Sequence, residues 1–110
     1  MRNDEPIWRL VDSKSPVFCA MSDRIWGKPE LNYQERRSAA EHEAMLAAEG
    51  FRVETGIAGL PTAMVGEAGE GGPVIAILGE YDALPGLSQE AGVAEPRPIC
   101  LLYTSDAADE

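Results

Sequence analysis

The sequence predicts an α/β fold, and three observations carry that reading. Apolar residues first recur at helical spacing, the period then switches to two after Gly50, and an uninterrupted apolar run follows at residues 73–78. The predicted order is two helices, a strand, a hairpin and a strand covered on both faces.

The first helix is read from Ile7, Leu10, Val11, Phe18, Met21 and Ile25, which fall on one face at steps of three, four and seven. Asn3 or Asp4 can cap its start, and Pro6 suits a first turn. Pro16 removes a backbone donor, which predicts a kink or a restart with Ser15 as the new cap. Gly27 and Pro29 end the segment. Trp8 and Trp26 read as core or interface anchors.

A second helix is expected after a short turn. Asn32 is the predicted cap, with Glu35 three residues on completing a capping box. Ser38, His42, Met45, Leu46 and Glu49 share one side, and alanines at 39, 40, 44, 47 and 48 favour the helix. Arg36 and Arg37, beside Glu35 and Glu41, read as a solvated face. Gly50 suits the C′ position.

Beyond Gly50, the residues Phe51, Val53, Thr55 and Ile57 alternate with Arg52, Glu54 and Gly56, the pattern of a half-buried strand. Residues 59–61 make a turn, residues 62–67 a second short strand, and Gly69-Glu70-Gly71-Gly72 a tight turn. That glycine run joins two strands and precedes no helix, so it does not fit a phosphate loop. Pro73-Val74-Ile75-Ala76-Ile77-Leu78 has no polar interruption, as expected of a strand buried on both faces.

Composition narrows the function. The chain has 110 residues and a net charge of −10, with 19 acidic and 9 basic side chains. Phosphate binding needs clustered Lys and Arg, so nucleic acid is a poor partner, and there is no basic patch for an anionic membrane. Two cysteines and one histidine do not make a disulfide framework or a Cys/His zinc site. The segment 1–8 lacks the basic-then-apolar order of a signal peptide, which points to the cytoplasm. His42, alone on a helix face, reads as a packed or edge residue.

The chemistry-bearing cluster is Gly79-Glu80-Tyr81-Asp82-Ala83-Leu84-Pro85-Gly86-Leu87, directly after the predicted buried strand. Ligand sites in open α/β sheets lie just beyond strand carboxyl ends. Glu80 and Asp82 would point to one side if the backbone stays extended. Two such carboxylates repel unless a cation or donor joins them. The same residues can instead simply shape a turn.

Three segments carry a family resemblance: Ile25-Trp26-Gly27-Lys28-Pro29-Glu30-Leu31-Asn32-Tyr33, residues 49–63, and the run from Val74 through Gly79-Glu80-Tyr81-Asp82-Ala83-Leu84-Pro85-Gly86-Leu87-Ser88-Gln89. Together they make residues 4–98 resemble the metal-dependent amidohydrolase and metallopeptidase superfamily, most of all its branch that cleaves p-aminobenzoyl-glutamate. The resemblance implies the N-terminal portion of a three-layer α/β/α zinc-exopeptidase-like catalytic domain. It also implies a divalent metal, zinc or manganese, hydrolysing the amide of an N-acyl amino acid. Asp82 matches the family's aspartate that orients a metal ligand. Glu80 stands where the peptidase branch has its ligand histidine; amidohydrolase branches carry an acid there and place a Gly-His-x-Cys-Gly-His motif downstream. Tyr81, Ala83, Leu84 and Pro85 complete the implied active-site loop.

That downstream motif does not follow Pro98. Residues 99–110 resemble translated sequencing adapter and are expected to be a non-native tail, so Cys100 is not the family's metal cysteine. Residues 1–98 are thus expected to be an incomplete piece of a hydrolase, inactive alone, whose parent is a homodimer or hetero-oligomer. The other class of reading is a small acidic accessory module with its own core. A metal-free pair built on Glu80 and Asp82 is disfavoured, because the two are too close in sequence to flank a substrate.

Overall fold

A computed structural model describes residues 4–99; the expectations for Asn3, Cys100 and the rest of the tail lie outside them. The element order is α1 (Asp4–Trp26), α2 (Arg36–Ala48), β1 (Arg52–Thr55), a 3-10 turn (Ile57–Gly59) and β2 (Met64–Glu67). The described residues form a small α/β unit of two helices and a two-stranded antiparallel sheet. Its extension to a three-layer exopeptidase-like domain is not part of that unit.

α1 runs as one helix through Pro16, so the predicted restart at Ser15 does not occur. A proline inside a helix costs one hydrogen bond, and 23 residues supply enough remaining bonds to span it. Only Met21 is buried on this helix. Ile7, Leu10, Val11 and Phe18, expected to form the inner face, are exposed, and so are Trp8 and Trp26. The two tryptophans therefore anchor no core here, because nothing among the described residues covers the outer half of α1.

α1 and α2 run antiparallel and are joined by ions. Glu41 accepts from Arg24 Nε at 3.0 Å and from Lys28 Nζ at 2.7 Å, and Lys14 pairs with Glu49. The inner side of α2 is Ser38, Ala39, His42, Met45 and Leu46, buried or half-buried, close to the predicted face.

The start of α2 differs from the expected capping box. Glu35, not Asn32, occupies the cap position, and its side chain makes no capping bond. Gln34 N–H donates to Leu31 O at 2.9 Å and Tyr33 takes a left-handed φ of 65°, so the chain turns before the helix begins. The capping carboxylate comes instead from Glu30. Its Oε2 accepts from Arg37 N–H at 3.1 Å, and its Oε1 accepts from Ser38 N–H at 2.7 Å and Ser38 Oγ at 2.9 Å. A carboxylate there meets the free N–H groups and the positive end of the helix dipole.

The other end of α2 is as predicted. Gly50 adopts φ 88°, its N–H donates to Ala47 O, and Phe51 N–H donates to Leu46 O. This is a Schellman closure with Gly50 at C′. β1 and β2 pair with Arg52 opposite Glu67 and Thr55 opposite Met64. Gly66 lies under α2, where an added Cβ would sit 3.1 Å from Leu46 Cδ2, so the Leu46 side chain would have to give by a few tenths of an ångström to admit it.

The main correction concerns residues 73–78. They form no strand, and Val74 and Ile77 are 93% and 95% exposed. A strand covered on both faces needs neighbours along its edges and layers above and below. Two helices and a two-stranded ribbon do not provide them.

Candidate functional site

The predicted active-site loop closes one side of an open cleft of about 700 Å³. Ile25, Trp26 and Pro29 from the end of α1 and the turn after it also line the cleft, as do Glu30 and Ser38. Tyr81, Asp82, Ala83 and Leu84 line it from the loop.

Each predicted residue has a definite place. Glu80 is exposed on irregular backbone and is not a lining residue. Tyr81 is half-buried, and its hydroxyl donates to the Thr62 carbonyl. Its ring lies against His42, with centroids 4.7 Å apart and planes at 44°. Asp82 is half-buried at the cleft. Ala83 N–H donates to Glu30 O at 2.8 Å, and Ala83 forms a parallel bridge with Leu31. Leu84 is exposed, and Pro85 enters a turn whose next residue, Gly86, has φ 76°.

The electrostatics follow from this packing. Burial holds His42 below its ordinary 6.5, against a smaller opposing pull from Glu41, so the imidazole is neutral near pH 7. Burial, and then the nearby Glu35 carboxylate, push the Tyr81 phenol up. Burial alone would raise Glu30, but hydrogen bonds from Ser38 and Arg37 outweigh it and hold that carboxyl below its usual range. Glu35 Oε2 and His42 Nε2 are buried with no hydrogen-bond partner among the described residues.

His42 is packed, as expected of a lone histidine, but nothing local in the sequence marks Tyr81 as its partner. Glu30 is equally unmarked: its main chain holds the loop while its side chain caps α2. The one local hint is the Pro-Glu step just before the expected helix. A divalent metal would need more than these residues offer. Among the described residues no three His, Cys, Asp or Glu side chains gather to hold one.

Comparison with known proteins bears on the family. The chain is 38% identical over 99 residues to a subunit of p-aminobenzoyl-glutamate hydrolase of Escherichia coli (strain K12); the match takes in 86% of this chain and 21% of that protein. It is 36% identical over 93 residues to Xaa-Arg dipeptidase of Mus musculus, covering 74% of this chain and 21% of that protein. The chain belongs to the amidohydrolase and peptidase superfamily. It spans about a fifth of the length of these relatives. No family model matches, and no solved structure matches. Both relatives are hydrolases by name, which agrees with the family resemblance of residues 4–98. Among the described residues, no helix is long and apolar enough to cross a membrane.

Proposed function

We propose that residues 1–98 are the N-terminal part of a metal-dependent amidohydrolase of the cytoplasm, and that residues 99–110 are a non-native tail. The substrate class is an N-acyl amino acid, with p-aminobenzoyl-glutamate the leading member. The observation that carries this reading is the 38% identity, over most of the chain, to a hydrolase named for that substrate. The placement of Asp82 at a cleft supports it.

In this reading Asp82 acts in the catalytic centre and Glu80 contributes beside it. The divalent metal, zinc or manganese, would draw its remaining donors from outside residues 4–99. The 110-residue chain alone is inactive. The whole protein works as a homodimer or hetero-oligomer; the relative's name describes one subunit of its hydrolase, which favours the second.

The test is hydrolysis of p-aminobenzoyl-glutamate by the full-length protein, followed as p-aminobenzoate release. The wild type should turn it over, and Asp82→Ala should lose about 10–100-fold, the usual cost of removing a residue that orients a metal ligand. Failure of the wild type to cleave this or any other N-acyl amino acid would refute the reading.

A further inference from the structure

We propose that Tyr81 is a positioning residue that sets the direction of Asp82 into the cleft. This rests on the reading that Asp82 belongs to the catalytic centre.

What holds the loop decides how Asp82 can move. Residues 71–80 are all exposed and irregular, and residues 84–87 are exposed on the other side. Between them the backbone is pinned twice. Upstream of Asp82, Tyr81 turns inward and donates its hydroxyl to the carbonyl of Thr62, which is only 9% exposed. Downstream, Ala83 N–H donates to Glu30 O. Asp82 sits between the two pins and lines the cleft, with Tyr81 beside it.

The Tyr81 pin joins three distant parts of the chain. Its ring rests on His42 of α2, and its hydroxyl reaches the segment that leads into β2. The Thr62 acceptor is a main-chain carbonyl in a buried residue, so it has little freedom to follow the loop. A neutral imidazole against the ring keeps this contact free of ionic competition near pH 7. Removing the hydroxyl would free one side of the pin while leaving the ring in place. The carboxylate of Asp82 would then swing about the remaining pin at Ala83. A displacement of about 1 Å in a catalytic constellation can cost on the order of 100-fold in rate.

The experiment uses the full-length protein with p-aminobenzoyl-glutamate as substrate. Tyr81→Phe should lower kcat about tenfold, with KM within about twofold of wild type and an unchanged melting temperature. Tyr81→Leu, which also loses the ring contact, should lower kcat roughly 100-fold. A merely structural tyrosine would instead lower the melting temperature and the folded yield, with kcat per folded molecule unchanged; that result overturns the proposal. Asp82→Asn separates the two readings. If it leaves kcat at the wild-type value, the catalytic assignment of Asp82 has failed, and the positioning role with it. If it abolishes turnover while Tyr81→Phe keeps full kcat, the positioning role alone has failed.

Discussion

Residues 36–67 and residues 71–80 are both rich in aliphatic side chains, yet they end in opposite states. In the first stretch, α2 lays Leu46 on Gly66 of β2, and the helix is closed at both ends by Glu30 and by the Gly50 turn. In the second, Val74, Ile75, Ile77 and Leu78 are each at least 86% exposed. An amphipathic helix needs one partner surface, and the ribbon that follows it in the chain supplies it. An all-apolar strand needs two surfaces and at least one edge, and no neighbour in the described chain supplies them. The difference is therefore one of how many partners a pattern demands, not of how apolar it is.

The largest effect should come from the exposed run. Burying a Val, Ile or Leu side chain is worth about 1.5–3 kcal/mol, so four of them leave on the order of 6–12 kcal/mol of unused drive toward association. The unaltered chain should aggregate in light scattering, and replacing Val74, Ile75, Ile77 and Leu78 by Ser should keep it monomeric. Amide protection in α2, β1 and β2 should not change. Loss of that protection would show that the run packs on the helix–ribbon unit after all.

The same contrast explains how much of the molecule is legible in its sequence. Gly50 is readable because a helix stop is local: one residue free to take a left-handed φ, at the end of an apolar period. The alternation after Gly50 is readable for the same reason: β1 lies within it, although Ile57 turns into the 3-10 segment and Thr55 is exposed, and β2 lies within the second strand expected at residues 62–67. The start of α2 escapes a local reading because capping from Glu30 acts across eight residues to Ser38, outside any capping-box spacing. The apolar pattern of residues 73–78 is plain, but the burial it suggests requires neighbours the pattern cannot name. At the site, the residue types around Asp82 are legible. The support beneath them is not, because His42 meets Tyr81 across 39 positions and neither residue marks the other in sequence.

A middle-sized effect should follow from Glu30→Ala. That change removes the acceptor of two α2 N–H groups and of the Ser38 hydroxyl, while the main-chain carbonyl that holds Ala83 remains. A lost helix cap costs about 1–2 kcal/mol. Hydrogen exchange in the first turn of α2 should speed up about 5–30-fold, the factor that matches this energy. Exchange near Gly50 should stay slower than in the first turn. Uniform acceleration along α2 would mean that the helix opens as one unit and that its two ends are not separately secured.

The smallest effect concerns the link between α1 and α2, where ions hold together helices that share little apolar burial. The hydrogen bond from Arg24, and then that from Lys28, draw the Glu41 carboxyl from its ordinary 4.5 down to about 2, against a smaller upward push from burial. A folded value below the unfolded one stabilises the pairing above pH 4.5, and that contribution fades as the pH falls through about 2. Side-chain carbon NMR of Glu41 should therefore titrate near pH 2, and Arg24→Gln should move the midpoint back toward 4.5. High salt should do the same in part, because the groups are near the surface. If Glu41 titrates at 4.5 in the unaltered chain, the ion cluster does not hold α1 in place. Residues 4–26 would then belong with the uncovered run at 71–80, leaving α2 and its ribbon as the one self-supporting region among the described residues.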